Sequence, residues 1–214
     1  MAIVLVIIGL LLGGMLMPLS AQLDQRRNSE AQKAMDEIIQ ALIGFAISHS
    51  ATDGKPYLPC PNTNNDGNEG TRSGGGDCVN PEGMVPWATL GIADTDPWGN
   101  RYRYRVTSAF SNSTTGFILA TPGDIKVVNA ATGGTNVATV LPAIILSHGK
   151  NGLGAYNQAG GTNATTGASA DELENTNGDA SFVYHAPSPT FDDLAAWVSP
   201  NTLFNRVVTA GKLP

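Results

Sequence analysis

The stretch Met1–Arg27, MAIVLVIIGLLLGGMLMPLSAQLDQRR, decides the fold because it changes from wholly apolar to charged within one segment. Its first charged residue is Asp24. As a helix rising ~1.5 Å per residue, Met1–Leu19 would reach roughly 28 Å, close to the thickness of the hydrocarbon core of a bilayer. A cleavable signal peptide is disfavoured because no basic residue precedes the apolar run. The stretch therefore predicts a membrane anchor or a helix that packs against copies of itself.

The helical pattern continues past this stretch with a single apolar face. Apolar residues recur at spacings of three and four, and charged residues precede or oppose them. We therefore predict one helix of about 48 residues. Its apolar part, at 1–22, is expected to lie in a membrane or in a filament core, and its amphipathic part is at 23–50. A globular domain follows at 51–214. The amphipathic face comprises Met35, Ile38, Ile39, Leu42, Phe45 and Ala46.

The composition indicates a turn-rich exported domain. The chain of 214 residues carries 12 Lys and Arg against 18 Asp and Glu, a net charge of -6. Acidic chains are poorly suited to displacing the counterions of nucleic acid, so we expect no nucleic-acid partner. Charged residues make up only 14% of the chain, while Gly numbers 25 and Pro 13. That balance is unlike a typical cytosolic enzyme.

The two cysteines, Cys60 and Cys78, flank a loop of Asn, Gly and Asp that has little means of holding its own shape. A pair around such a loop favours a disulfide in an oxidising compartment over two free thiols. The spacing fits no CxxC metal pair. We expect the bridge to stabilise the fold by about 3 kcal/mol.

The rest of the chain predicts strands and a last helix, which together give an α+β fold. In the strand Arg101–Val106 we expect the tyrosines to face inward and the arginines outward. Ser199 as N-cap, Pro200 in the first turn and Gly211 after the end indicate a C-terminal helix. An antiparallel sheet on the amphipathic half of the long helix is the expected arrangement. The other predicted strands are Gly116–Thr121, Ile125–Asn129, Val137–Leu146 and Ser181–His185.

Two loops concentrate oxygen ligands around glycines, which is the ligand type that calcium prefers. They are Asn62–Gly70 and Asp171–Asp179, and neither has the Glu at position twelve of an EF-hand loop. The second loop holds more carboxylates and is the favoured calcium site. Its predicted ligands are Asp171, Glu172, Glu174 and Asp179.

No constellation in the sequence predicts catalysis. The histidines His49, His148 and His185 lack paired or HExxH spacing, and no nucleophile elbow, P-loop or dinucleotide fingerprint occurs. We therefore expect a protein that is not an enzyme.

Three segments resemble a known family. MAIVLVIIGLLLGG at 1–14 resembles the N-terminal helix of type IV pilins and type II secretion pseudopilins. DTDPWGNRYRYRV at 94–106 resembles the Asp-Pro-Trp-Gly-Asn segment of the major pseudopilin. SHGKNGLG at 147–154 is similar to a turn of the same proteins, with Asn151 in place of Asp. The region from about Asn157 onward matches less clearly.

The resemblance implies a structural subunit that polymerises through its apolar helix. The implied partners are identical subunits in a helical homopolymer, minor pilins and the assembly machinery. The implied locations are a bacterial inner membrane before assembly and an extracellular or periplasmic filament afterwards. Major pseudopilins hold calcium in a late loop, which agrees with the favoured loop above. The family also implies a basic leader and a Glu upstream of Met1, which would resolve the unusual placing of Arg26 and Arg27 after the apolar run.

Four residues of the apolar segment carry further expectations. Small residues at Gly9, Gly13 and Gly14 permit close helix approach. Pro18 removes a helical N–H donor, so we expect regular helix to be lost within Gly13–Leu19 in an assembled filament. The alternative to a filament subunit is a monomeric, membrane-anchored domain that binds calcium or hydrolyses a substrate outside the cytoplasm.

Overall fold

A computed structural model describes the backbone of residues 2–214 and the side chains of residues 21–214. Within that range the chain forms five helices and seven strands, which confirms the α+β class. The helices are α1 (Ala2–Ser48), α2 (Trp87–Leu90), α3 (Ser108–Ser111), α4 (Ala170–Glu174) and α5 (Pro200–Thr209). The strands are β1 (Glu82–Met84), β2 (Arg103–Val106), β3 (Ile125–Val128), β4 (Asn136–Leu141), β5 (Ala143–Ser147), β6 (Ser181–Val183) and β7 (Leu194–Val198).

The strands form two sheets. The larger has four strands in the order β1-β2-β5-β7, and all its pairs are antiparallel, as the sequence predicts. The smaller has three strands in the order β4-β3-β6. Its β3–β6 pair is parallel, with Lys126 opposite Ser181, because a long connection containing α4 separates these strands in the chain. The second sheet is not foreseen from the sequence.

The described part of α1 packs into the core from Ala31 onward. Met35, Ile38 and Leu42 are almost fully buried, as the amphipathic pattern predicts. These residues join one cluster with Tyr104, Ile145 and other residues of the larger sheet. Most of residues 21–30, by contrast, are exposed. The amphipathic half of the helix is therefore an integral part of the domain core, and the part just before Ala31 is not.

Strand β5 lies at the centre of the molecule and is buried on both faces. Ala143 and Ile145 pack towards α1, whereas Ile144 and Leu146 pack towards the smaller sheet. The alternation of β-strand side chains places the two sets on opposite faces. The fold therefore has three layers: helices α1 and α5, the larger sheet, and the smaller sheet. This explains why β5 is an uninterrupted apolar run.

Several predicted strands differ from those observed. Val137–Leu146 was expected to be one strand, but the chain breaks at Pro142 and its two halves, β4 and β5, belong to different sheets. Proline cannot donate to a ladder, which explains the break. Gly116–Thr121 forms no strand, although Phe117 is fully buried. Strands β1 and β7 were not predicted.

The arginines of the Arg101–Val106 segment are not on the outside. Tyr102 and Tyr104 are buried as predicted, but Arg101 and Arg103 are also buried, at 7% and 4% exposure. Arg101 pairs with Asp94 and stacks on the Trp87 ring, 4.1 Å from its centroid. Arg103 is enclosed in the same way by Glu82 of β1 and by His148 after β5. These contacts leave neither guanidinium group a solvated side, so the expectation of an outward arginine face is wrong for both residues.

The C-terminal helix follows its predicted signals. α5 begins with Pro200 in its first turn, and Leu203 and Val207 are buried against the core. Gly211 follows the helix with a φ of 70°, the left-handed conformation expected of a glycine that ends a helix. Ser199 stands at the N-cap position, although its side chain makes no capping hydrogen bond.

Candidate functional site

Three buried or half-buried carboxylates meet beside the larger sheet. Glu172, Asp192 and Asp193 each offer an oxygen, and these oxygens all lie within 4.8 Å of one another. Glu172 and Asp193 are each 1% exposed. Carboxylate oxygens in such a group are the preferred ligands of calcium and similar hard cations. We call these three residues the acidic cluster.

Local structure fixes Glu172 at this place. It lies on α4, whose N-terminus has a reciprocal capping arrangement with Ser169. The Ser169 N–H donates to Glu172 Oε2 at 2.8 Å, and the Glu172 N–H donates to Ser169 Oγ at 3.2 Å. The other carboxylate oxygen, Oε1, accepts a hydrogen bond from Asn151 Nδ2 at 2.6 Å. The capping arrangement therefore holds a buried carboxylate in a single orientation.

Asp192 and Asp193 reach the cluster because they directly precede β7. Asp192 Oδ2 accepts the N–H of Asn151 at 2.8 Å, and Asp193 Oδ2 accepts a hydrogen bond from Asn175 Nδ2 at 2.8 Å. The other oxygen of each, Oδ1, is buried and has no hydrogen-bond partner among the described residues. Burial raises the pKa of Asp192, and the charges of Asp193 and Glu172 raise it further. The cluster is therefore short of positive charge.

A buried histidine links the cluster to a cation. Arg103 Nε donates to His148 Nε2 at 3.1 Å, so this ring nitrogen must be the acceptor. The ring proton then lies on Nδ1, which is 3.4 Å from Asp193 Oδ1. Arg103 also pairs with Glu82 and donates to the Gly154 carbonyl at 2.9 Å. His148 therefore follows β5 with Nε2 paired, whereas its Nδ1 has no hydrogen-bond partner among the described residues.

The predicted calcium ligands do not come together as one group. Asp171 Oδ1 accepts the N–H of Ala131 at 2.7 Å, and its Oδ2 lies 3.2 Å from His185 Nε2. Glu174 and Asp179 share the side-chain amide of Asn177, at 3.0 and 3.3 Å. Of the four, Glu172 alone belongs to the acidic cluster described above.

Sequence reasoning missed Asp192 and Asp193. A signal exists in retrospect, since two adjacent carboxylates at Asp192-Asp193 stand immediately before an apolar run. Their distance from Glu172 along the chain hides the grouping, because the two segments meet only through tertiary contacts, such as the hydrogen bond from Asn175 Nδ2 to Asp193 Oδ2. Asn151, in the turn singled out by the resemblance, supplies hydrogen bonds to both sides of the cluster.

The predicted disulfide joins Cys60 and Cys78, with the two Cα atoms 5.4 Å apart and a sequence separation of 18. Arg72, within the bridged loop, donates to Glu69 and to the carbonyls of Gly76 and Ser111. The long connection between α1 and β1 is therefore held by a covalent bond and by an internal ion pair.

The predictions for the apolar segment concern contacts between subunits and the course of the helix in an assembled filament, neither of which the structure of a single chain describes. Gly9, Gly13, Gly14 and Pro18 all lie before residue 21. Among residues 21–214, no helix combines the length and the apolar character needed to cross a membrane.

No protein-family profile, curated protein or solved structure matches this chain.

Proposed function

We propose that this protein is a structural subunit of a filament of the type IV pilus or type II secretion pseudopilus kind. The observation that carries the proposal is the course of α1 around Ala31. From Ala31 to Ala46 one face of the helix is buried in the domain core, whereas most of residues 21–30 are exposed. The segment 1–19, which precedes them, contains no charged residue.

An apolar segment of this length is unfavourable in water and needs an apolar surface to pack against. The domain core is already filled by the face that begins at Ala31. Before assembly, the bilayer supplies the cover, since its hydrocarbon core matches ~20 helical residues. After assembly, the helices of identical subunits supply it, with the acidic domains outside. Minor pilins and an assembly machinery complete the expected set of partners.

The test is electron microscopy of material sheared from cells, with antibody labelling of this chain. Gly9→Leu keeps the segment apolar but blocks close helix approach, so we expect membrane-bound subunits and few filaments. Leu11→Ile is the matched control and should leave filaments unchanged. If cells with the native chain make no labelled filament, and the purified full chain is monomeric in detergent, the alternative of a monomeric membrane-anchored domain takes its place.

We further propose that the acidic cluster binds calcium and stabilises the subunit. Two carboxylate oxygens without partners among residues 21–214 and the raised pKa of Asp192 support a cation there. Chelation should lower the melting temperature, because a ligand that binds only the folded state stabilises it by mass action. Asp192→Asn should remove much of this calcium response, whereas Asp179→Asn, which lies outside the cluster, should retain it. Equal responses from both variants would contradict the assignment.

A further inference from the structure

A second group of oxygen atoms, separate from the acidic cluster, lies in the loop that the Cys60–Cys78 bridge closes, which we call the disulfide loop. It falls within NTNNDGNEG at 62–70. Three oxygens converge on one atom, the side-chain nitrogen Nδ2 of Asn62. They are Asn64 Oδ1 at 2.8 Å, Asp66 Oδ1 at 2.6 Å and the backbone carbonyl of Asn68 at 2.7 Å. These oxygens come from alternate residues, so the loop wraps around the amide group of Asn62.

The amide group of Asn62 does not satisfy this environment. A side-chain amide nitrogen has two hydrogens, and here it faces three acceptors. Its carbonyl oxygen, Oδ1, is buried and has no hydrogen-bond partner among the side chains and backbone that are described. Asn62 as a whole is 0% exposed. Buried polar atoms are normally paired in hydrogen bonds. Here one oxygen has no donor, and the nitrogen beside it has fewer hydrogens than acceptors, so the group of oxygens indicates a missing positive partner.

We propose that residues 62–68 form a calcium-binding site whose ligands are the side-chain oxygens of Asn62, Asn64 and Asp66 and the carbonyl oxygen of Asn68. Rotation of the Asn62 amide by half a turn replaces its nitrogen with Oδ1, which then becomes a ligand. The three further oxygens surround this position at 2.8, 2.6 and 2.7 Å. A cation would lie between them and the reoriented Oδ1, and small shifts of the loop would bring all four oxygens to the roughly 2.3–2.6 Å of calcium coordination.

The spacing of these ligands supports calcium. Asn62, Asn64 and Asp66 stand at the first, third and fifth places of a calcium loop, Gly67 stands at the sixth, and the Asn68 carbonyl stands at the seventh. Gly67 has a φ of 80°, the conformation that the sharp turn at the sixth place requires. The twelfth place is Ser73 rather than Glu, so water must complete the coordination.

The charge of the site predicts its affinity. Asp66 is the one carboxylate among the four ligands, and hydrogen bonds from the Asn68 backbone and the neighbouring side chains lower its pKa. Glu69 is engaged elsewhere, by Arg72 Nη2 at 3.0 Å and the Cys60 N–H at 3.2 Å. One ligand charge corresponds to weak binding, in the range of about 10⁻⁴–10⁻³ M typical of extracellular modules. Magnesium should bind less well, because it dehydrates reluctantly and demands a small octahedral site.

The ion would fix the loop to the larger sheet. Asn62 pairs with Met84 of β1 through two backbone hydrogen bonds of 2.8 Å. The Gly67 carbonyl accepts the N–H groups of Ala88 and Thr89 from α2. Calcium at residues 62–68 therefore joins the disulfide loop, the edge strand β1 and helix α2, independently of filament assembly and of the acidic cluster.

The test is calorimetric titration of calcium chloride into the chelator-treated full chain in detergent. All variants carry Asp192→Asn, so that the acidic cluster does not contribute heat. Asp66→Asn should weaken binding at least tenfold. Asp77→Asn is the matched control, because Asp77 lies in the same disulfide loop and contacts Asn112 instead; it should bind as the parent does.

Asn62→Asp provides an independent test by gain of function. It adds a second carboxylate at the first place of the loop, so calcium should bind at least fivefold more tightly, and the melting temperature should rise more steeply with calcium. If Asp66→Asn fails to fold, this variant alone decides. Binding that is the same in the parent, Asp66→Asn and Asp77→Asn, or an Asn62→Asp variant that binds no tighter, overturns the site.

Discussion

At the scale of single residues, the side chain of Asp96 anchors the turn Asp-Pro-Trp-Gly-Asn at 96–100 to the core. Its Oδ1 accepts the N–H groups of Trp98 at 3.0 Å and Asn100 at 2.9 Å, and its Oδ2 accepts the Ser147 hydroxyl at 2.6 Å. Asp96 is 4% exposed. The Asp-Pro-Trp-Gly-Asn turn is thus tied to the end of β5 by one carboxylate. This gives a structural reason for the residue that begins the segment.

Asp96 should also make stability depend on pH. Burial raises its pKa above the ordinary 3.8, so the folded state holds this proton at pH values where the unfolded state has lost it. Stability relative to Asp96→Asn should therefore fall as pH rises from about 3.8 through the raised pKa, by about 1.4 kcal/mol for each unit of difference. Urea unfolding of both proteins from about pH 3.8 to about pH 7 measures this difference. If the free energy of unfolding of the native chain rises with pH relative to that of Asp96→Asn, the hydrogen bonds to the Asp96 carboxylate lower its pKa by more than burial raises it.

The buried arginines mark the limit of residue-scale prediction. Alternation within Arg101–Val106 correctly places Tyr102 and Tyr104 inward. It cannot reveal what covers the opposite face, because Arg103 is enclosed by Glu82, His148 and the Gly154 carbonyl, all more than twenty residues away in the chain. The same limit hides Asp192 and Asp193 from the prediction of a calcium site, whereas Glu172 is named because its own loop is rich in carboxylates.

At the scale of elements, the buried face of α1 is the feature that the sequence predicts best, because helical periodicity is local. Leu42 is 0% exposed, and Leu23, on the same helix, is 50% exposed. We expect Leu42→Ala to destabilise the fold by about 2–5 kcal/mol, since it removes buried methylenes and leaves a cavity. Leu23→Ala should change stability by less than about 0.5 kcal/mol. Thermal unfolding of the two variants measures the difference, and similar losses would contradict the packing described.

The strands are predicted less well than the two longest helices, α1 and α5, for a physical reason; the short helices α2, α3 and α4 are not predicted at all. Val137–Leu146 reads as one apolar run, but β4 keeps Val137 46% exposed at an edge of the smaller sheet, while Ile144 and Ile145 of β5 are buried on opposite faces. Strand partners are chosen by non-local pairing, and Pro142 is the single local sign that the run changes sheets.

The disulfide is an element-scale stabiliser of the long connection before β1. The bridge closes a loop with a sequence separation of 18 and so restricts the unfolded chain. Replacing both Cys60 and Cys78 by Ser removes this restriction and raises the conformational entropy of the unfolded state. We expect a loss of about 3 kcal/mol. Denaturant titration of the double variant against the native chain, without reductant, tests this. In the presence of a strong reductant the two proteins should converge, and a difference that persists would point to packing of the sulfur atoms instead.

At the scale of the whole molecule, the proposed filament must bring many acidic domains together. The described helix leaves its domain before Ala31, and the chain has a net charge of -6. Contacts between helices of an apolar core are insensitive to salt, whereas repulsion between the domains is screened within a Debye length of about 8 Å at 0.15 M ionic strength. The balance of these two forces makes assembly depend on ionic strength in a definite direction.

We therefore expect isolated filaments to be more stable at higher ionic strength. Dilution into about 0.01 M salt, where the Debye length grows to about 30 Å, should release more subunits than dilution into about 0.15 M salt. Sedimentation of filaments after dilution measures the released fraction. Lys150→Gln, which removes the positive partner of the exposed Asp24–Lys150 pair at 2.7 Å, makes each subunit more acidic and should steepen the dependence. Release that increases with salt would instead mean that ion pairs between subunits hold the filament together, because screening destabilises a filament only where the screened charge contacts are attractive.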